Sequence, residues 1–222
     1  ESNEVTFSSR FVKTEEFQAE SESDSIKVRS TFRTQRVPNA WSLKLSNGAF
    51  DLANAFDLKL KNLANTNVVF WGEKLFSLFE AGIPYELDPF NLNTIDKMEM
   101  GLSGVLTDGL PVYVPDLNAS FPSIHASLFS QHMTAHPKID PIRKTLVAWT
   151  WCAGTGLPGI PAKNVLDSRP IVNFREWDEA LMPLHDKTLP IASVILKNTS
   201  VSPHDFSITP SYYVIIENRL AG

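Results

Sequence analysis

Fifteen prolines are spread through 222 residues, from Pro38 to Pro210, and they set the tightest limit on what this chain can become. A proline inside a helix removes a backbone donor and clashes with the preceding turn. Long helices are therefore excluded across most of the sequence. Between the prolines lie short apolar runs bounded by Gly, Asp and Asn: "NVVFW", "KLFSLFE", "TLVAWTWC", "RPIVNFREW", "LPIASVILK" and "SYYVIIEN". Strands of four to seven residues with turn formers between them read as a meander of antiparallel hairpins. From Asn67 the pattern predicts a strand, a turn at Gly72, a strand to Glu80, a turn over Gly82–Pro84, and a short strand ending at Asp88. Many short strands at this spacing make an all-β sandwich, barrel or propeller the expected class.

The first 40 residues are polar. Alternating pieces at Arg10–Val12 and Ile26–Phe32 predict two short strands around an acidic, Ser-rich turn at Glu20–Ser25. The stretch from Phe50 to Leu63 fits either an amphipathic helix or an irregular segment.

Composition removes several function classes. The balance of 43% hydrophobic and 20% charged residues is that of a globular chain with a substantial core. A net charge of −5 with both signs scattered, and no basic block, argues against nucleic acid as a partner. The single cysteine, Cys152, excludes an internal disulfide and a thiolate metal cluster. No apolar run approaches the ~18 residues of a membrane-spanning helix. The chain starts without Met or a leader, so either processing has removed the true start or these residues are part of a longer chain. Asn118 and Asn198 head glycosylation triplets, but no leader supports secretion.

Two motifs fail on their surroundings. "GTGLPG", Gly154 to Gly159, matches a dinucleotide fingerprint, yet Pro158 and Pro161 deny it the helix that such a fingerprint must open. His132 and His136 have the four-residue spacing of zinc ligands on a helix face, but Pro137 refuses the helix and Met133 stands where the zinc-protease glutamate belongs.

His136 and His204 form the more informative pair. Each is flanked by a proline and each leads into a β segment, "PKIDP" then Thr145–Cys152 in one case and "DFSITPS" then Tyr212–Asn218 in the other. Taken singly, each reads as a structural histidine. In a radially arranged sheet protein, equivalent positions converge on the axis, where neutral imidazoles can share an ion. Glu80 closes another strand among apolar neighbours. It reads as a surface carboxylate, or as the acceptor of a ligating histidine's second ring N–H.

Three stretches, in order, resemble the motifs of the carotenoid cleavage oxygenases, the family of apocarotenoid and stilbene-type dioxygenases and retinoid isomerases. They are "NLANTNVVFWGEKLFSLFEAGIPYELDPFNLNT", "MTAHPKIDP" and "SPHDFSITPSYYVIIEN". The resemblance implies a seven-bladed β-propeller of four-stranded antiparallel blades, with four axial histidines holding a non-haem Fe(II). Carried over residue by residue, His136 and His204 are metal ligands and Glu80 is a glutamate bonded to one of them. His125, His132 and His185 match no ligand motif. The family's other two histidines would lie beyond Gly222, so the chain resembles the N-terminal half of a member and an incomplete ring.

The expected domain is a single partial propeller over 1–222, with an N-terminal segment at 1–40, blades over 41–222 and an inserted loop at 98–131. Arg219 stands where the family usually has proline. The implied reaction is O2-dependent cleavage of a conjugated C=C bond in a carotenoid or apocarotenoid, giving two carbonyl products. A stilbene-like substrate, a retinoid-type isomerisation and a truncated, non-catalytic binding module also fit the motifs. The implied partners are a hydrophobic polyene or stilbene-like substrate and O2. Peripheral membrane contact, and a cytoplasmic or plastid setting rather than secretion, complete the expectations.

Overall fold

A computed structural model describes residues 5, 7–23, 61–80, 82–102, 106, 132–154, 169–185, 190–196 and 204–217. Among the described residues, one helix, α1 (Glu15–Ser23), precedes eleven strands. Strands β1 (Asn67–Trp71), β2 (Lys74–Leu78), β3 (Tyr85–Leu87) and β4 (Thr94–Lys97) form a four-stranded meander in sequence order. Strands β5 (His132–Met133), β6 (Lys138–Asp140), β7 (Thr145–Gly154), β8 (Arg169–Trp177) and β9 (Ala192–Ile195) form a second sheet, and β10 (Phe206–Ile208) and β11 (Tyr213–Ile215) a hairpin. Every paired neighbour is antiparallel.

The β1–β2 turn depends on Gly72, whose φ is +59°. A Cβ there would stand 2.1 Å from the backbone oxygen of Glu179, so glycine is required both for the turn and for the close approach of the second sheet.

Strand β7 explains the layering. Its stretch Leu146–Thr150 is buried on both faces, as for a strand covered above and below. Leu146 and Ala148 pack with Phe76, Leu78, Met100 and Trp177, which joins the second sheet to the first. Val147 and Trp149 point the other way and pack with Val172, Phe174 and Phe206 from the hairpin side. Burying each such apolar side chain contributes about 1.5–3 kcal/mol. The second sheet is thus the middle of three face-to-face layers.

The second sheet has five strands, but β5 and β6 are two pieces of one edge. Both pair with β7, through Met133↔Thr150 and Lys138↔Val147. Five steps on the edge face three on β7, so Thr134–Pro137 contains two residues more than the ladder needs. The expected four-stranded blade becomes a four-position sheet with a broken edge. The break falls at Pro137, which has no N–H to give a ladder.

Several local expectations are corrected. Arg10–Val12 is outside any strand, and the expected turn at Glu20–Ser25 overlaps the last turns of α1. The helix starts because Thr14 Oγ1 accepts the N–H of Phe17, at 3.2 Å, and because Glu15 and Glu16 sit in the positive first turn. Strand β2 ends at Leu78, so Glu80 lies in the following turn rather than closing the strand. The "DFSITPS" link contains a strand of its own, β10. Ile26–Phe32, Phe50–Leu60 and most of 98–131 lie outside the described residues. Among the described residues, no helix is long and apolar enough to cross a membrane.

Candidate metal centre

Glu80, His136 and His204 come from three different places in the layered stack and meet at one point. Glu80 stands in the turn after β2. The next described residue, Gly82, bridges to Met133, which brings this turn against the broken edge of the second sheet. His136 is in the two-residue excess between β5 and β6. Its extended backbone follows from Pro137, which disfavours the helical region for the residue before it. His204 stands two residues before β10, the same offset that separates His136 from β6.

The excess segment is held by specific bonds. Asn67 Nδ2 donates to the carbonyl of Ala135 at 2.9 Å, and the N–H of His136 donates to Thr134 Oγ1 at 3.1 Å. The N–H of Thr134 still reaches the carbonyl of Trp149, so the segment leaves the ladder only after this residue. Sequence reasoning gave Asn67, Thr134 and Ala135 no role. Backbone-directed contacts of this kind leave no residue pattern, although Asn and Thr beside a break in a ladder are suited to local backbone bonds.

The imidazoles of His136 and His204 have centroids 4.5 Å apart and planes at 67°. Glu80 Oε1 is 3.3 Å from His136 Nε2 and 3.4 Å from His204 Nδ1. One donor atom from each of the three residues lies within 4.8 Å of the others. Two donors about 2.1 Å from one ion stand at most about 4.2 Å apart, slightly less than this 4.8 Å span.

Burial pushes the Glu80 carboxyl up to about 7; the backbone N–H of Ala135 opposes that shift and the Asp205 charge adds to it. Burial also lowers the pKa of His136, and His204 and Lys138 act in the same direction against Asp205. A lowered pKa keeps the imidazole neutral, which is the form that binds a metal.

Whether a cation suits this place can be judged from unsatisfied atoms. Glu80 Oε1 and His136 Nε2 are both buried and make no hydrogen bond, although they face each other. Buried polar atoms are normally paired. A cation at His136 Nε2 would satisfy that acceptor, while His204 Nδ1, 3.4 Å from Glu80 Oε1, can turn its proton to the carboxylate, and imidazole suits iron as a ligand. The donor set therefore fits an iron ion.

The remaining histidines behave differently. His132 is fully buried in β5 and its ring stands edge-on to Trp151 at 5.4 Å. Its strand conformation agrees with rejecting a zinc-binding helix. His185 is exposed and outside the cluster, and His125 is outside the described residues.

Comparison with known proteins gives this geometry a context. The sequence pattern of the family described as retinal pigment epithelial membrane protein matches residues 1–221. Apocarotenoid-15,15'-oxygenase of Synechocystis is 30% identical over 97% of this chain and 34% of its own length. Carotenoid cleavage dioxygenase 7, chloroplastic, of Arabidopsis thaliana is 25% identical over 97% and 33%. Resveratrol cleavage oxygenase 1 of Aspergillus fumigatus is 27% identical over 95% and 30%. Among solved structures, cobalt-substituted Synechocystis apocarotenoid oxygenase superposes with a TM-score of 0.57 at 26% identity, over 93% of this chain and 33% of the other. The chain spans about a third of the length of these relatives, less than the half expected from its motifs.

Proposed function

The chain belongs to the carotenoid cleavage oxygenase family, and on that premise we propose that it carries part of the iron centre of an enzyme that cleaves a conjugated C=C bond with O2. One observation carries the reading: three layers each deliver one residue, Glu80, His136 and His204, to a single point. Family members are oxygenases of carotenoids and related olefins, and the chain shares the all-β, antiparallel fold of apocarotenoid oxygenase. The stacked sheets are what consecutive blades of a propeller present, and a seven-bladed ring in the whole protein is part of this proposal.

His136 would hold iron through Nε2. His204 turns Nδ1 toward Glu80, so its Nε2 is the ring nitrogen left for the metal. Glu80 then accepts the Nδ1–H of His204, which fixes that tautomer and raises the basicity of the ligating nitrogen. Iron, when bound, supplies the O2-dependent oxidation that divides the olefin into two carbonyl fragments. Further histidines from the rest of the protein would complete the ligand set. The substrate is a carotenoid or apocarotenoid. A stilbene-like olefin is the second reading, supported by the likeness to resveratrol cleavage oxygenase. A retinoid-type isomerisation would proceed without O2 uptake, and a non-catalytic binding role would give no turnover.

The test uses the whole natural chain loaded with Fe(II) without oxygen, then given O2 and an apocarotenoid, a carotenoid or resveratrol. Paired carbonyl products that depend on O2 and disappear in His136→Ala and His204→Ala are expected. Isomers without O2 uptake, or turnover untouched by both substitutions, would overturn the reading.

A further inference from the structure

The two histidines lie just outside their strands, so no ladder bond sets the distance between them. His136 precedes β6 in the middle layer and His204 precedes β10 in the hairpin layer. Apolar packing of Phe206 on Trp149 and Phe174 holds the hairpin against the sheet, with ring centroids at 6.3 Å and 5.5 Å. Such packing is non-directional. It fixes the layer spacing, and the directional Tyr213–Glu176 bond holds the far end of the hairpin, which leaves the histidine end to be aligned locally.

A directional contact does span this end. Lys138 Nζ lies 2.8 Å from Asp205 Oδ1. Lys138 is two residues after His136, and Asp205 directly follows His204. The same ammonium stands 5.7 Å over the Phe206 ring. Asp205 Oδ1 also accepts the N–H of Phe206 at 2.7 Å, which stiffens the residue next to His204. The Lys138 and Asp205 side chains are 31% and 51% exposed, and an ion pair this open adds little to global stability. Its position suggests another use.

We propose that Lys138 and Asp205 form a positioning latch that sets the separation of the His136 and His204 imidazoles for a shared metal ion. The inference rests on the reading of these histidines as ligands. The latch touches neither metal nor substrate and acts through the two backbones it joins.

Charge and geometry make opposite demands, which allows a decisive test. Removing Asp205 leaves a cation beside the centre and disfavours metal. Removing Lys138 leaves an anion there and, by charge alone, favours metal. A latch that works by geometry is weakened by either change.

The whole natural chain is prepared as wild type, Lys138→Met, Asp205→Asn, the swapped pair Lys138→Asp with Asp205→Lys, and His136→Ala and His204→Ala. Co(II) affinity and the visible absorption of bound Co(II), which reports ligand arrangement, are measured for each. Each single latch substitution is expected to weaken Co(II) binding by about 10-fold and to alter its absorption, within the ~10–100-fold range for partners that orient ligands. The swapped pair should recover much of both. Tighter binding in Lys138→Met, or latch variants that bind like wild type while the histidine variants lose Co(II), would overturn the latch and leave the ligand reading standing. Binding unaffected by the histidine substitutions would overturn both.

Discussion

At the scale of the residue, the proposed centre gives Glu80 the largest part after the two histidines. Its neutral isostere keeps the shape but is a weaker acceptor, so Glu80→Gln should lower iron affinity about 10–100-fold, measured by metal titration of the whole chain. His136 announced itself in the sequence because a histidine before proline is confined to extended backbone. Glu80 was legible only through the family motif: by itself a glutamate after an apolar strand is common on surfaces, and the Gly82–Met133 bridge, a contact across 51 positions (133 − 82), sets its turn against the second sheet. Asp140 illustrates a different residue-scale effect. It accepts the N–H groups of Ile142 and Arg143, at 2.9 Å and 3.0 Å, and the Nε–H of Arg143 at 2.7 Å, and the Arg143 contacts chiefly hold its carboxyl below the usual value. A depressed folded pKa stabilises the protein above the ordinary aspartate range, and that contribution disappears as pH falls through the folded value. Asp140→Asn should therefore lower the melting temperature at neutral pH, and the difference from wild type should shrink in acid.

Elements came through unevenly in the sequence, for physical reasons. Strand β8 was visible over its whole length because "RPIVNFREW" is bounded by turn formers and rich in residues that suit a pleated, buried strand. The three residues of β10 sit between Pro203 and Pro210, and punctuation by proline hid them. Helix α1 has little apolar periodicity; its capping threonine and acidic first turn were the available signals. The hairpin β10–β11 is tied down at its far end by Tyr213, whose hydroxyl donates to Glu176 Oε1 at 2.6 Å, while Arg143 Nη1 approaches the same oxygen at 2.8 Å. Burial and the Glu176 carboxylate push the Tyr213 hydroxyl up to about 12, so it stays protonated and donating through the physiological range. Tyr213→Phe should cost about 1.5–3 kcal/mol, the range for hydrogen bonds to charged groups, read by chemical denaturation. At the first hairpin, Gly72→Ala meets both a left-handed φ and the Glu179 carbonyl. It should destabilise by more than about 1 kcal/mol in the same assay.

For the whole molecule, the outcome turns on how layers combine. The hairpin rhythm was enough to indicate an all-β antiparallel protein, and the order of three motifs was enough to indicate the family. Neither could reveal that one edge strand breaks in the middle, because a two-residue excess is defined only relative to the partner strand. The candidate metal centre is likewise a property of stacking. Its three residues are separated by 56 and 68 positions (136 − 80 and 204 − 136), and each belongs to a different layer. Since the chain covers 34% of the length of its Synechocystis relative, residues 1–222 produced alone should bind Fe(II) weakly and give no detectable cleavage of carotenoid, apocarotenoid or stilbene substrates. Turnover comparable to that of the whole chain would contradict a centre that needs further ligands.

If His136 and His204 hold an iron ion while Glu80 orients His204, diffraction from Fe(II)-loaded crystals of the whole chain at the iron absorption edge will locate the ion between the two histidines. An anomalous peak is expected at about 2.2 Å from His136 Nε2 and from His204 Nε2, slightly beyond the usual zinc–nitrogen length. In that arrangement Glu80 accepts the Nδ1–H of His204. An iron peak that contacts neither histidine, or histidines without iron in a protein that cleaves its substrate, would contradict the assignment.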